Sequence, residues 1–214
     1  MKEKIKKFTF TNFKWIVLFL CLIGFLALAE DVFNEEIMKG DIIGYNLVSN
    51  LLISDFMTPI AKFITNFGGA FFLVGLSIVS FLVIRNKKIS ISIFSNLVIV
   101  TLLNQLLKYV LQRPRPTEYR IINESGYSFP SGHSMVSMAF YGYLIYLIYR
   151  YVKNKYAKWI SIILLSILIG TIGVSRIYLG VHYTSDVLAG FLIAISYLIA
   201  YITILDKTFM ESEK

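Results

Sequence analysis

Long apolar runs separated by short polar clusters dominate the chain. A helix needs about 20 predominantly apolar residues to cross a bilayer. Six runs approach that length: Phe13–Ala29, Ile60–Ile84, Ile89–Leu111, Ser134–Tyr151, Ala157–Val174 and Tyr183–Leu205. The pattern predicts an all-α polytopic membrane protein with six transmembrane helices. No repeat, low-complexity run or Gly/Ser linker marks a second domain, so residues 1–214 read as one transmembrane domain. Two connections are long. The stretch from Glu30 to Pro59 mixes acidic and apolar residues, and its later part, from Ile53 to Phe67, reads as an interfacial or partly submerged helix leading into the second span. Pro59 would sit in that helix's first turn. The other connection runs from Gln112 to Pro130, where Pro114 and Pro116 stop the third helix. Neither proline donates a backbone hydrogen, and each restrains the residue before it.

Charge changes the picture by orienting these spans. The chain is 57% hydrophobic and 16% charged, with a formal net charge of +8. In a soluble protein that excess would suggest nucleic-acid binding, but 14 of the 21 basic residues fall on one side of a six-span arrangement. They are Lys2, Lys4, Lys6, Lys7, Lys14, Arg85, Lys87, Lys88, Arg150, Lys153, Lys155, Lys158, Lys207 and Lys214. The opposite side carries Glu30, Asp31, Glu35, Glu36, Asp41 and Asp55. By the positive-inside rule both termini are cytoplasmic, and no nucleic-acid partner is expected. Lys39 and Lys62 lie among or just after the acidic residues and need no special account. Lys108, Arg113, Arg115, Arg120 and Arg176 fall on the outer side, where the rule disfavours them, which points to an anionic ligand. The first segment also has signal-peptide features, with Ala27-Leu28-Ala29 before Glu30; cleavage there would leave the remaining topology unchanged. Cys21, the single cysteine, reads as a small apolar residue. Tyr127, Phe129, Tyr149, Tyr151, Tyr178 and Tyr183 lie near span ends, as headgroup-level aromatic belts do. Gly68, Gly69, Gly170, Gly173, Gly190 and Ala194 suggest close helix packing within the chain, and the oligomeric state is left open.

Three polar segments carry the candidate chemistry. Lys108 precedes Arg115-Pro116 by seven positions, so two cations can converge on one anion if the chain folds back over the helix end. Taken alone, the segment better suits cations snorkelling to headgroups. Pro130-Ser131-Gly132-His133 opens a helix. Ser131 suits an N-cap, Gly132 lets a ligand approach the backbone, and the free N–H groups of a helix start favour phosphate oxygens. His133 in that turn could act on a leaving group, or be a plain interfacial histidine. In the third segment, Ser175-Arg176 ends the fifth span, Gly180 turns the chain, and His182 and Asp186 stand four apart. On a helix those two share a face, so Asp186 would fix the tautomer of His182 and aim its other nitrogen outwards. A metal site is the rival reading, but there are only two histidines and the neighbouring groups are cations. All three segments fall on the outer side, and ionisable groups at membrane helices are functional candidates by default.

At these residues the chain resembles the type 2 phosphatidic acid phosphatases, also called lipid phosphate phosphatases. Their signature K-x6-R-P, P-S-G-H and S-R-x5-H-x3-D is matched by Lys108…Arg115-Pro116, Pro130-Ser131-Gly132-His133 and Ser175-Arg176…His182…Asp186. The resemblance covers residues 108–186; residues 1–100 match only in hydropathy and span count. Size and layout look like the small bacterial members that act on phosphatidylglycerol phosphate or undecaprenyl diphosphate. The resemblance implies a bacterial plasma-membrane lipid phosphatase with an extracytoplasmic site and a membrane lipid as substrate. In it, His182 forms a phosphohistidine and Asp186 orients it. His133 protonates the leaving oxygen, and Lys108, Arg115 and Arg176, with Ser131 and Gly132, hold the phosphoryl group. No metal or other cofactor is implied, because the cations take that part. Undecaprenyl diphosphate suits the outward orientation best, with phosphatidylglycerol phosphate and phosphatidic acid as alternatives. A transporter using Asp, His and Arg as an ion path would need a polar relay through the middle of spans one, five and six, which carry none. A lipid phosphotransferase would use the same residues as a hydrolase.

Overall fold

The structure, a computed structural model, describes residues 2–34 and 38–206. Glu35, Glu36, Lys207 and Lys214, used above to orient the chain, lie outside the described residues. The described residues form eight helices and no strand: α1 Lys2–Phe33, α2 Lys39–Leu52, α3 Met57–Asn66, α4 Ala70–Val83, α5 Lys87–Leu111, α6 Gly132–Tyr151, α7 Lys155–Tyr178 and α8 Thr184–Leu205.

Local sequence sets most of the boundaries. Asn86 caps α5 by accepting from the Lys88 N–H at 3.0 Å, and Asn154 caps α7 by accepting from the Ala157 N–H at 3.0 Å. Helix α5 ends on Gln112, whose left-handed φ of 45° turns the chain into the Arg113-Pro114-Arg115-Pro116 run. Among the described residues, four helices are long and apolar enough to cross a membrane: α5, α7, α8 and Asn12–Phe33 of α1. The expected second span is not one straight helix. It is α3 and α4, bent by 46° at a short break, and together they make a fifth candidate. Helix α6 falls below that hydropathy because Tyr141, Tyr143, Tyr146, Tyr149 and Tyr151 replace aliphatic residues along it.

Those tyrosines belong to a helix that packs on α5, α7 and α8 at once. Tyr141, Tyr143, Phe140 and Leu147 of α6 meet Leu73, Ile93, Ile172 and Tyr201 in the main core. Each buried phenol there has a partner, as it must away from water. Tyr143 Oη lies 2.7 Å from Ser92 Oγ, and Tyr141 donates to Phe67 O at 2.7 Å. The expected aromatic belt is therefore only partly a belt. Tyr149 and Tyr151 are exposed, whereas Phe129 and Tyr178 are buried in protein. Small residues do allow close packing at Gly173 against Phe191 and at Gly190 against the Ser131 carbonyl, but Gly170 faces open space.

The acidic connection after the first span is mostly helical, which the charge pattern did not suggest. Helix α1 runs on through Glu30 and Asp31, and α2 lays Val48 and Leu52 on the end of α7 around Tyr178, Leu179 and Val181. Pro59 lies in the first turn of α3, as expected. The ends of α5 and α7 and the starts of α6 and α8 meet at one end of the bundle. At the other end Arg150, finishing α6, pairs with Asp206 after α8 at 2.6 Å.

Candidate active site

At the first of these ends, a cavity of about 570 Å³ is bordered by Lys108, Arg115, Glu124, Gly132, His133 and His182. Five of the eight residues singled out in the sequence therefore border one space. The other three stand behind it. Asp186 is buried under His182, Arg176 is buried beneath Glu124, and Ser131 is enclosed in the cap of α6.

The α6 segment is built by its cap. Ser131 Oγ accepts from the Ser134 N–H at 3.5 Å and from Ser134 Oγ at 3.0 Å, so α6 starts at Gly132 with its first N–H groups towards the cavity end. A Cβ at Gly132 would stand 3.0 Å from Asn104 Oδ1 and 3.9 Å from Lys108 Cε, so glycine is what lets α5 approach the helix start. Asn104 in turn donates to the Pro130 carbonyl at 3.2 Å. Lys108 donates to the Tyr127 carbonyl, which bends its ammonium over the end of α5. His133 lies against Gly68 at the α3–α4 break, 3.2 Å from where a Cβ would be.

Arg115 folds back as anticipated, after the left-handed Gln112 turns the chain out of α5 into the proline run. Its guanidinium donates to the carbonyls of Gly126 (3.0 Å), Ser125 (3.1 Å) and Val181 (3.0 Å), and it lies 3.1 Å from His182 Nε2. His182 itself is not on α8. It precedes the N-cap residue Tyr183, so helical periodicity is not what pairs it with Asp186. The pair forms because Asp186 Oδ2 caps α8, accepting from the Tyr183 N–H at 2.8 Å, and the same oxygen then lies 3.3 Å from His182 Nδ1. A carboxylate can only accept, so Nδ1 carries the hydrogen and Nε2 keeps its lone pair towards Arg115 and the cavity. Burial, then the cations Arg176 and Arg115, hold the His182 imidazole well below its ordinary pKa. It is neutral at neutral pH, as a nitrogen nucleophile must be.

Three partners, Glu124, Thr65 and Asp41, were not singled out in the sequence, and Arg113, read there only as an outer-side cation pointing to an anionic ligand, engages two carboxylates of the chain. Glu124 bridges the two guanidiniums: Oε1 lies 2.5 Å from Arg176 and Oε2 lies 3.8 Å from Arg115. Burial would raise its carboxyl, but Arg176 and the neighbouring cations outweigh burial and hold it below the usual carboxylate range. Thr65 on α3 accepts from Arg176 at 2.7 Å. Arg113 pairs with Asp186 Oδ1 and with Asp41 Oδ2, each at 2.8 Å, and both carboxylates are buried. Asp41 had been counted with the surface acids that orient the chain. A carboxylate without a ligand-type motif around it gives no local signal of a partner 72 residues away.

Cations, two histidines and a helix start around one cavity suit an anion that carries a leaving group, and comparison with known proteins agrees. The model of the PAP2 superfamily matches residues 90–210. Phosphatidylglycerophosphatase B of Bacillus subtilis is 40% identical over 92 residues, covering 42% of this chain and 45% of that protein. The undecaprenyl-diphosphatase of Sulfolobus acidocaldarius is 27% identical over 193 residues, 84% of each chain. The chain thus spans less than half of the first relative and most of the second. In structure it is similar to the crystal structure of the first transmembrane PAP2 type phosphatidylglycerolphosphate phosphatase from Bacillus subtilis, with a TM-score of 0.80, 25% identity, and 89% of this chain and 96% of that one covered. With its matched segment running through every residue that borders the cavity, the chain belongs to the PAP2 superfamily.

Proposed function

We propose that this chain is a membrane lipid phosphatase that removes the terminal phosphate of a lipid phosphate or diphosphate. One observation carries the reading: the unprotonated Nε2 of a carboxylate-held His182, 3.1 Å from Arg115, lies at a cavity that His182 shares with Lys108, Arg115 and His133. His182 Nε2 attacks phosphorus as the ester or anhydride P–O bond breaks, and His133 gives its proton to the departing oxygen. A water then returns a proton to His133 and releases phosphate from His182. Lys108, Arg115 and Arg176 stabilise the charge that develops on the phosphoryl oxygens. Ser131 serves by capping α6, which aims the Gly132 and His133 N–H groups.

In this reading residues 1–214 are one domain, and α6 joins the five candidates as a crossing, the fourth in chain order. Its 20 residues reach about 30 Å. Its tyrosines are tolerated because protein, not lipid, surrounds much of it. The lysine and arginine distribution puts both termini in the cytoplasm and the cavity outside, in a bacterial plasma membrane. Undecaprenyl diphosphate fits that orientation, and a relative named undecaprenyl-diphosphatase aligns along most of the chain. The name phosphatidylglycerophosphatase B on the relative with higher identity favours phosphatidylglycerol phosphate as the second substrate. Free phosphate measured from purified protein across undecaprenyl diphosphate, phosphatidylglycerol phosphate and phosphatidic acid, with and without EDTA, tests both. Release is expected without an acceptor lipid, greatest from the diphosphate, and unchanged by EDTA. Dependence on an acceptor lipid would make the protein a phosphotransferase, and loss with EDTA would overturn the metal-free mechanism.

Glu124 holds the guanidiniums that the phosphate needs, so it competes with phosphate for them. Glu124→Gln is expected to tighten inhibition by inorganic phosphate or vanadate about five- to tenfold, the worth of roughly one charge-assisted contact. The Glu124 pKa is depressed, so the competing charge is present above the ordinary carboxylate range and is lost only as pH falls below it. The ratio between variant and wild type should therefore stay constant between about pH 5 and 8. Unchanged or weaker inhibition would remove the competitor role.

A further inference from the structure

Asp186 is not the last member of the chain of groups behind His182. Its Oδ1 is 2.8 Å from Arg113, and the same guanidinium is 2.8 Å from Asp41 and 2.7 Å from Ser185 Oγ. The second Asp41 oxygen accepts from the Ser185 backbone N–H at 2.8 Å, which closes a ring of Arg113, Asp41 and Ser185 at the start of α8, with Asp186 held from its Arg113 corner. The Arg113 guanidinium also lies over the Tyr183 ring, 4.1 Å from its centre. Arg113, Asp41 and Asp186 are all buried, and neither Arg113 nor Asp41 borders the phosphate cavity. Groups so placed cannot touch a substrate there. Asp41 instead borders a neighbouring cavity of about 420 Å³ that also reaches His182, so the way from Arg113 and Asp41 to the phosphate cavity runs through what they hold.

What they hold is the carboxylate that aims the nucleophile. Asp186 must point one oxygen at both the Tyr183 N–H and the His182 ring, which leaves the other buried in need of a donor. Arg113 is that donor. A buried guanidinium with a single carboxylate would swing towards it, and Asp41 on the far side fixes the fork in place. We propose that Arg113 and Asp41 are positioning residues of the nucleophile, so that Asp41, Arg113, Asp186 and His182 act as one buried relay of orientation. The proposal rests on His182 being the nucleophile. It also gives α2 a part in the reaction: Asp41 comes from that helix, outside the residues 90–210 matched by the family model, and the other side of α2 exposes Ile43, Leu47 and Leu51.

Kinetics of the full-length protein in detergent, on dioctanoyl phosphatidic acid, test it. Asp41→Asn keeps the shape and the acceptor for Ser185 but removes the charge opposite Arg113. It is expected to lower kcat by about ten- to hundredfold, as loss of supporting contacts does, with KM within about twofold. In an Asp186→Asn background the same substitution should lower kcat less than about twofold further, because the carboxylate it acts through is already gone. A purely structural residue would give equal losses in both backgrounds, and that result overturns the proposal, as does an unchanged kcat for Asp41→Asn. Arg113→Lys, which can reach one carboxylate but not span two, should fall between wild type and Arg113→Met; equal activity of the two variants would also overturn it. Full activity in His182→Asn would instead bring down the nucleophile assignment, so the two failures are separable.

Discussion

Replacing His182 by asparagine is expected to abolish turnover, lowering kcat by at least about 10⁴-fold, the scale on which loss of a nucleophile or its base acts. The size of the effect follows from geometry. Asparagine can still face the Asp186 carboxylate, so the packing and the cap of α8, which uses the Tyr183 N–H, are preserved. It offers no nitrogen lone pair where Nε2 stood, 3.1 Å from Arg115. The remaining cations would still bind the phosphate, so KM should change little while kcat collapses. A second measurement separates covalent from general-base catalysis. Brief incubation of wild type with ³²P-labelled lipid phosphate, quenched in alkali, should leave label on the protein that is stable to base and released by acid, as for a phosphohistidine. The asparagine variant should carry none. Turnover above about one hundredth of wild type, or label persisting in the variant, would show that another group attacks phosphorus.

Gly180→Ala is expected to be the most damaging single-methyl change in the molecule. Gly180 has φ of +67°, and a Cβ there would sit 2.0 Å from the Tyr119 carbonyl oxygen, a backbone atom that cannot rotate away. The strained φ and the overlap together should lower stability by about 3 kcal/mol. The damage should reach the site, because both neighbours of this turn are committed. Leu179 O accepts from the Ile121 N–H at 3.0 Å, tying the turn to the Pro116–Ile122 loop, and Val181 O accepts from Arg115 at 3.0 Å. Moving the turn therefore moves Arg115 and His182 together. Thermal unfolding in detergent should show the loss, and the variant that remains folded at low temperature should turn over at least about tenfold more slowly. Gly75→Ala is the matched control, since a Cβ there meets nothing within 4 Å, and it should behave as wild type. A wild-type unfolding midpoint for Gly180→Ala would mean that the 116–122 loop yields freely.

The two changes probe features of different legibility. The His182–Asp186 pair was readable from residue type and spacing, although for a reason the structure replaces. Four-residue spacing suggested a shared helical face, but His182 lies before α8, and the pair exists because a cap residue also serves the histidine. Arg115 was readable because the prolines mark where the third helix must stop, and the chain turns there, at Gln112, to bring it to the cavity. Glu124 and Asp41 were not. Each is an ordinary acid in a polar stretch, and each acquires a role only when a guanidinium distant in the chain arrives beside it, Arg176 for Glu124 and Arg113 for Asp41.

Hydropathy is a property of each segment by itself, so the sequence alone determined that the chain is helical and membrane-embedded, with its spans close to where helices stand. It also determined which residue types gather at span ends, because a cation or imidazole there is costly without a reason. Tertiary structure decided what lies between segments. It bent the expected second span at the α3–α4 break, buried Tyr141 and Tyr143 of α6 among three helices, and set the Glu124 carboxylate between Arg176 and Arg115. It also anchored the carboxylate behind His182 to α2 through Arg113. The physical reason is the same in each case: burial makes a polar group's partner obligatory, but which partner meets it depends on how the helices pack.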